Sequence, residues 1–350
     1  MKQLTRVIAL LALALPTFAQ QKPFQEQIDV NAVLLDVIVT DSKGNQILGL
    51  GKDDFIVKED GVAQPVESVD YFTNRRLLDQ REEDAPFKVE RVREDRYFIF
   101  FFDKPQNPSF LFDELNRARQ AAINFVKEEM QPTDYVAIAG HDVRLKIYTD
   151  FTNDKKQLEK GLQEAMRFGK GVTTASKSEG PSILRNLSTS AMINDTGSVY
   201  EGLQLLAESL KPIRARKSVV LFSPGIVDRR ESVRNNMVVN RTPIFDDALE
   251  ALNAANVAVY TVQLQDDPQL TPAIHERLSE LASATGGRYF QFNTSFEPAV
   301  ERIEKANSGY YLVTYSSKKP KGEKGYQKVD VKLRNPEFKI VARGGYQYGS

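Results

Sequence analysis

The amino-acid sequence predicts an α/β domain, with a doubly wound and mostly parallel sheet, inserted into a β-sandwich that the N- and C-terminal segments form together. The middle of the chain alternates short apolar runs with amphipathic segments, as strands and helices in succession do. Both ends show the period-two pattern of β-strands. About four strands are expected at one end and about three at the other, and either set alone would expose an apolar face and an edge. One sandwich built from both ends avoids this exposure.

The composition excludes several classes of function. The chain has 350 residues, and its 47 basic and 47 acidic residues balance to a formal charge of +0, which argues against a broad nucleic-acid-binding face. The absence of cysteine excludes disulfides, thiolate metal sites and a cysteine nucleophile. His275 begins a zincin-like motif, but Ser279 replaces its second histidine. Neither a G-x-S-x-G elbow nor a P-loop occurs. We therefore predict a non-enzymatic protein without a cofactor.

Residues 1–19 are predicted to be a secretory signal peptide. Lys2 and Arg6 form a positive start, and Val7–Leu15 is an apolar run too short to cross a bilayer. Small residues then precede a cleavage site after Ala19. A buried N-terminal helix is the alternative. No later stretch has the length of a transmembrane helix, so we expect a secreted or periplasmic chain without a transmembrane segment once the signal is removed.

Residues 24–75 are predicted to form the N-terminal half of the sandwich. Strand patterns occupy Ile28–Ala32, Val33–Val39, Phe55–Val57 and Pro65–Phe72. Turn residues at Asp41–Asn45 separate the first strand from the next. Residues 76–95 are strongly charged and are predicted to be a solvated linker.

Residues 96–307 are predicted to form the α/β domain. Tyr97–Phe102 is an unbroken apolar run, as a strand buried on both faces requires. The helix after it carries apolar residues at a 4-3-4-3 spacing: Leu111, Leu115, Ala118, Ala122 and Phe125. Further strands are expected at Tyr135–Ala139, Leu145–Tyr148, Val219–Phe222, Val257–Tyr260 and Arg288–Phe292, and helices near Leu158–Leu162, Val199–Leu210, Phe245–Ala255 and Ile274–Ala284.

Residues 308–348 are predicted to form the C-terminal half of the sandwich. Tyr310–Tyr315 has the pattern of one strand, and Val329–Leu333 alternates apolar with charged residues, as a half-exposed strand does. Asn335-Pro336 predicts a turn, so Phe338–Ala342 is expected to be the pairing partner of Val329–Leu333.

Several segments resemble a von Willebrand factor A domain, beginning with the apolar strand that ends at Asp103 and leads into an amphipathic helix. Other segments that resemble its strands and helix starts are Pro132–Ile138, Asp150–Asp154, Arg216–Ser223, Asn256–Tyr260 and Ala284–Phe290. The flanks resemble the VWFA-related proteins of Acidobacteria in Thr40-Asp41 with Gly44, in Asp54–Gly61 and in Ala342–Tyr346. The resemblance covers nearly the whole mature chain.

The resemblance implies a metal-ion-dependent adhesion site. In the family, D-x-S-x-S after the first strand, a threonine from a second loop and an aspartate after the fourth strand hold Mg²⁺ through hard oxygen ligands. This sequence keeps Asp103 but has Pro105 and Asn107 at the two serine positions. Gly197 stands at the threonine position, with Thr196 one residue away.

The fourth-strand ligand is also replaced, since Ser223-Pro224-Gly225 stands where the family has Asp-Gly, with Asp228 as a distant substitute. We therefore predict a degenerate adhesion site and no bound metal, with Mg²⁺ binding as the less favoured alternative. The predicted ligand-binding rim consists of polar residues from the loops at the strand ends: Asp103, Asn107, Ser109, Thr196, Ser198, Ser223 and Asp228. For Asp103, a cap on the helix near Phe110 is an equal alternative.

Two connections, residues 169–195 and 225–241, are longer than a compact domain usually contains and are therefore predicted to be functional or disordered. Arg229 and Arg230 lie in the second and form a possible partner loop. The leading hypothesis is a secreted module of adhesion type that binds a protein or peptide without metal. The alternatives are a structural component of a cell-envelope assembly and a Mg²⁺-dependent adhesion protein.

Overall fold

The computed structural model describes residues 28–73, 89–90, 95–104, 111–167, 169–175, 180–226, 233–234, 237–238, 243–264, 271–291, 295–320 and 323–348. The predicted signal peptide and cleavage site lie outside these residues. Within the described ranges, none of the helices has the length and apolar character that crossing a bilayer requires.

The strands and helices follow the chain in three groups. The first group has β1 Ile28–Thr40, β2 Phe55–Glu59, β3 Val62–Gln64, β4 Val66–Thr73 and β5 Val89–Glu90. The second has β6 Arg96–Asp103, α1 Phe112–Asn124, β7 Asp134–His141, β8 Leu145–Thr152, α2 Lys155–Met166, α3 Thr189–Asn194, α4 Val199–Leu210, β9 Lys217–Ser223, β10 Val233–Arg234, β11 Met237–Val238, α5 Pro243–Ala254, β12 Val257–Gln263, α6 Thr271–Ala284, β13 Tyr289–Phe290 and α7 Glu297–Ala306. The third has β14 Gly309–Pro320, β15 Gly325–Leu333, β16 Lys339–Val341 and β17 Gly345–Tyr348.

The middle group forms a mixed α/β fold with a mostly parallel sheet, as predicted. Its strand order is β13-β12-β9-β6-β7-β8, and β8 is antiparallel to β7 at the sheet edge. The apolar run of β6 is buried on both faces. Phe98, Phe100 and Phe102 pack against α1, α2 and α7, while Ile99 and Phe101 pack against α4, α5 and α6. Helices therefore cover both faces of the sheet.

Strands from the two ends of the chain pair with each other. β14 lies between β1 and β4, with Val33 opposite Tyr315 and Tyr71 opposite Tyr311. In a second sheet, of order β17-β15-β2-β3, Val57 lies opposite Val331. One apolar cluster receives buried side chains from both sheets. The packing of the two sheets thus buries the apolar faces that the strands of either chain end would expose if they were alone.

The pairing predicted for Phe338–Ala342 is wrong. β16 pairs with β1, with Ile340 opposite Val39, and not with β15. Since β2 and β17 occupy the two edges of β15, the turn after β15 carries the chain across to the other sheet. A turn signal in the sequence predicts a reversal of the chain but not the sheet that it enters.

The charged segment 76–95 is not wholly a linker, because β5 lies inside it and pairs in parallel with β4, Val89 opposite Tyr71. Residues 76–88 and 91–94 lie outside the described residues. The connection 169–195 differs from its prediction too. It contains α3, and Ile183, Leu184 and Leu187 are buried against the sheet. Much of this connection is therefore packed core and not an open loop.

A buried ionic cluster joins β6, β7 and α7. The Arg96 guanidinium donates from Nε and Nη2 to the two carboxylate oxygens of Asp134, both at 2.7 Å, and from Nη1 to Glu304 Oε1 at 3.0 Å. All three side chains are buried. Helix α7 was not predicted from the sequence. The cluster was not predicted either, because Asp134 and Glu304 are 38 and 208 residues from Arg96.

Candidate functional site

The candidate site lies where β6 and β9 end, and the structure brings Asp103 and Ser223 together there. Adjacent parallel strands end at the same edge of a sheet, so the last residues of β6 and β9 are neighbours. Ser223 Oγ donates to Asp103 Oδ2 at 2.6 Å and accepts from the Gly225 amide at 3.0 Å. Both side chains are buried. The α1 cap is Leu111, without a side-chain hydrogen bond, so the helix-cap interpretation of Asp103 is wrong.

Burial raises the pKa of the Asp103 carboxyl to about 7, and the Ser223 hydrogen bond only partly offsets this effect. No arginine, lysine or histidine is among the causes of the shift. The carboxyl is therefore protonated in a large fraction of molecules at neutral pH. A carboxylate ligand of Mg²⁺ must be ionised, whereas the carboxyl here is buried and bonded to Ser223.

Asp103→Asn is expected to become more stable than the wild type as the pH rises. Because the pKa of the folded protein exceeds its ordinary value of 3.8, the group's stabilising effect is complete below that value and is lost as the pH rises through about 7. The asparagine does not ionise, so above pH 8 it avoids a penalty of up to about 4 kcal/mol. Chemical denaturation across pH 4–9 measures this. Asp53→Asn, at an exposed position, is the control; equal pH profiles for Asp103→Asn and the wild type would contradict the expectation.

Thr196 is fully buried, which corrects its prediction as a rim residue. Its hydroxyl donates to the Met192 carbonyl at 2.6 Å and accepts from the Leu145 amide at 2.9 Å. Its own carbonyl lies 2.9 Å from His141 Nε2. Thr196 therefore ties α3 to the end of β7 and the start of β8, and His141 bonds to the backbone of the same residue.

Ser198 opens α4 in a capping box with Glu201. The Ser198 amide donates to Glu201 Oε2 at 2.8 Å, and the Glu201 amide donates to Ser198 Oγ at 3.2 Å. The hydroxyl is thus engaged in starting the helix. The remaining predicted site residues lie outside the described residues: Asn107, Ser109, Asp228, Arg229 and Arg230.

The described residues do not fit an octahedral Mg²⁺ site. Among the described members of the predicted rim, Asp103 and Ser223 come together, while the hydroxyl of Thr196 is engaged with the Met192 carbonyl and the Leu145 amide. No cluster of three or more acidic or histidine side chains suited to a metal occurs within the described ranges. The described residues alone therefore supply too few ligands for a hexacoordinate ion, and the predicted rim residues Asn107 and Asp228 lie outside them.

Lys104 is a buried cation that the sequence analysis missed. Its Nζ donates to the Tyr148 hydroxyl at 2.9 Å and to the Ala165 carbonyl at 2.5 Å, and lies 5.0 Å from the centre of the Tyr148 ring. Burial lowers the pKa of this amine to about 8. The sequence contains a signal that could have predicted this burial. Lys104 directly follows a strand that is buried on both faces, and a charged side chain at such a position needs hydrogen-bond partners inside the protein.

Three large apolar side chains are exposed at the same edge of the sheet, and we call them the apolar rim: Phe112, Val143 and Ile193. Their exposed fractions are 62%, 51% and 51%. Phe112 opens the helix after β6, Val143 lies in the turn between β7 and β8, and Ile193 precedes the Thr196 contact with that turn. Exposed apolar side chains at the end of a sheet where loops converge are typical of binding surfaces.

Comparisons with known proteins give structural matches alone. No protein-family model matches the chain, and no curated protein matches it. The BatB protein of Bacteroides thetaiotaomicron is 15% identical over 60% of this chain and 98% of its own, with a TM-score of 0.39. A mutant of the PilB minor pilin of Streptococcus sanguinis is 11% identical over 81% of this chain and 79% of its own, with a TM-score of 0.40. The SpRpn10 VWA domain is 11% identical over 59% of this chain and 93% of its own, with a TM-score of 0.35.

Proposed function

We propose that this chain is an exported binding module of the von Willebrand factor A type, carried by a β-sandwich into which the α/β domain is inserted. Two observations support this type of domain. The sheet is parallel except for its edge strand β8, and the segments that resemble the von Willebrand factor A family follow one another along it in the expected order. The pairing of β14 with β1 and β4 supports the insertion.

The module binds a protein or peptide through the apolar rim and the neighbouring loops, without metal and without catalysis. The observation that carries this proposal is the state of Asp103, the one acidic family ligand retained, which is buried and hydrogen-bonded to Ser223. A metal site of the family type would need this carboxylate ionised and available to the ligand shell of the ion. Phe112, Val143 and Ile193 are exposed apolar side chains at the same edge, and they bind by apolar burial.

Millimolar Mg²⁺ or Mn²⁺ is expected to shift the melting temperature of the protein by no more than about 1 °C. An intact site at a hundredfold excess over Kd would add about 2.7 kcal/mol, which moves Tm by several degrees in a domain of this size. Differential scanning calorimetry with and without EDTA measures the shift. A Mg²⁺-dependent stabilisation that Asp103→Ala abolishes would favour the Mg²⁺-dependent adhesion alternative instead.

A pull-down from an envelope fraction, with and without EDTA, tests the function itself. Capture of a partner is expected to survive EDTA and to weaken in Val143→Ser/Ile193→Ser, since both changes remove apolar area from the rim. Neutralising Arg229 and Arg230 is expected to weaken capture as well. The alternative, a structural component of an envelope assembly, is favoured by exposed apolar residues on the sandwich, Leu34 at 48% and Val62 at 64%. Loss of capture in Leu34→Ser/Val62→Ser alone would favour that alternative.

Export rests on residues 1–19, whose charged start, apolar centre and small-residue end have the order of a signal peptide. The mature N-terminus is expected at Gln20 or within a residue or two of it, in the periplasm or outside the cell. Intact-mass analysis of the exported protein measures this. Retention of Met1 would refute it.

A further inference from the structure

A second concave site lies away from the apolar rim. It is bounded by β8, by α2 and by the segment Gly169–Ala175, which we call the bridging segment. The cleft has a volume of about 630 Å³. Sites for small molecules commonly have volumes of about 300–1,000 Å³, so the cleft has the size of a ligand site.

The bridging segment is attached to the edge strand, which makes the cleft a preformed feature. The Val172 amide donates to the Ile147 carbonyl at 2.6 Å. Gly171 has a φ of +74°, and a Cβ there would lie 2.8 Å from the Ile147 carbonyl oxygen. Only glycine therefore allows the segment to approach β8 this closely in this backbone conformation.

The opposite wall is a polar face of α2. Gln157, Lys160, Gly161 and Glu164 line the cleft at the i, i+3, i+4, i+7 spacing of one helix face. The apolar face of the same helix, with Leu158 and Leu162, is buried in the core. Within this face Gly161 is buried, and a Cβ there would collide with the Thr149 side chain, so α2 packs closely on β8 beside the cleft.

The charges in the cleft leave two cations without partners. Lys160 and Lys170 are exposed, and neither forms an ion pair with another residue in the described part of the chain. The carboxylate of Asp150 accepts from Ser182 Oγ at 2.6 Å, from the Ile183 amide at 2.8 Å and from the Phe151 amide at 2.9 Å. These donors compensate its charge, so Glu164 is the remaining acid on the wall.

Tyr148 adds a neutral donor to the cleft lining. Its hydroxyl oxygen accepts from Lys104 Nζ, which leaves the hydroxyl hydrogen to donate. Burial raises the pKa of this hydroxyl, so it stays protonated at physiological pH. Tyr148 itself is only 5% exposed, so the groups that an anionic oxygen in the cleft would meet first are the two exposed ammonium groups.

We propose that this cleft binds a small molecule bearing a carboxylate or phosphate group, with Lys160 and Lys170 holding the anionic oxygens. The half-exposed side chain of Val172 contacts the apolar part of the ligand. Most of the binding free energy comes from the charge-assisted hydrogen bonds that the two lysines donate. The site is separate from the apolar rim and does not depend on its function.

Titration with glutarate and with inorganic phosphate, at constant ionic strength and followed by NMR, tests the proposal. Saturable shifts of the Gly171 and Val172 amides are expected with at least one of the two probes. Lys160→Gln/Lys170→Gln is expected to weaken binding by at least about tenfold. Lys156→Gln, on the same helix but outside the cleft, leaves the affinity unchanged.

The two probes separate the two sources of the anionic group. Binding of glutarate alone supports a carboxylate ligand, and binding of phosphate alone supports a phosphate ligand. Absence of saturable shifts with both probes overturns the proposal. Equal affinity of the double lysine variant and the wild type also overturns it, and the NMR spectrum of that variant shows independently that it is folded.

Discussion

Arg96→Met is expected to lower the free energy of unfolding by about 3–5 kcal/mol. The substitution leaves Asp134 and Glu304 buried without the guanidinium that compensates both of them. Desolvated charges without a partner are among the largest sources of destabilisation by a single substitution. Urea denaturation of the full-length chain measures the loss.

The matched control for this prediction is Arg117→Met. Arg117 forms an ion pair with Glu114 at 3.1 Å within α1, and its side chain is 46% exposed. An exposed pair of this kind contributes about 0–1 kcal/mol and the contact of Arg117 with the Phe296 ring about 0.5–1 kcal/mol, so the control should cost much less than Arg96→Met. A loss of less than about 1 kcal/mol for Arg96→Met would contradict the role assigned to the buried cluster.

Deletion of residues 308–350 is expected to unfold the N-terminal strands while the α/β domain survives. Among the described strands, β14 lies between β1 and β4, and β15 pairs with β2. The deletion removes both β14 and β15. Without them, β1, β2 and β4 lose their shared core, and two- or three-stranded remnants are marginally stable in water. The six-stranded sheet and its helices keep both of their own apolar clusters.

Backbone NMR of the truncated chain measures the outcome separately for the two groups of strands. Signals of β1 and β4 should lose dispersion, and those of β6 and β9 should keep it. An isolated fragment 24–75 with the dispersed spectrum of a folded domain would show that the inserted-domain architecture is wrong, because the N-terminal strands would then need no partner from the C-terminal end.

The features that were predictable from the sequence are those with a local signal. The apolar run Tyr97–Phe102 requires burial on both faces, and the 4-3-4-3 spacing from Leu111 to Phe125 describes a helix face that the structure buries. Such periodic patterns depend on neighbouring residues alone, so they can be recognised in the sequence before the fold is known. The same holds for the strand that ends at Asp103, which resembles the first strand of a von Willebrand factor A domain. Because parallel strands end at one edge of a sheet, Ser223 was expected near Asp103, and the structure places it there.

The features that were missed depend on residues far apart in the chain. The partner of β16 is β1 rather than β15, because the edges of β15 were already occupied. Thr196 is polar and follows a long connection, yet it is fully buried, and its hydroxyl bonds to α3 and to the start of β8. The cleft beside α2 forms because Gly171 brings a segment against the edge strand.

The sequence by itself therefore determined the mixed α/β character of the fold and the burial of the central strand, since both are properties of residue type and local spacing. The tertiary structure alone decided that Lys104 reaches Tyr148, and that Lys160 and Lys170 line one cleft. These outcomes require strands and helices that are distant in sequence to come within hydrogen-bonding range. Local periodicity carries no information about such contacts, because the free energy that selects them is that of packing the whole chain.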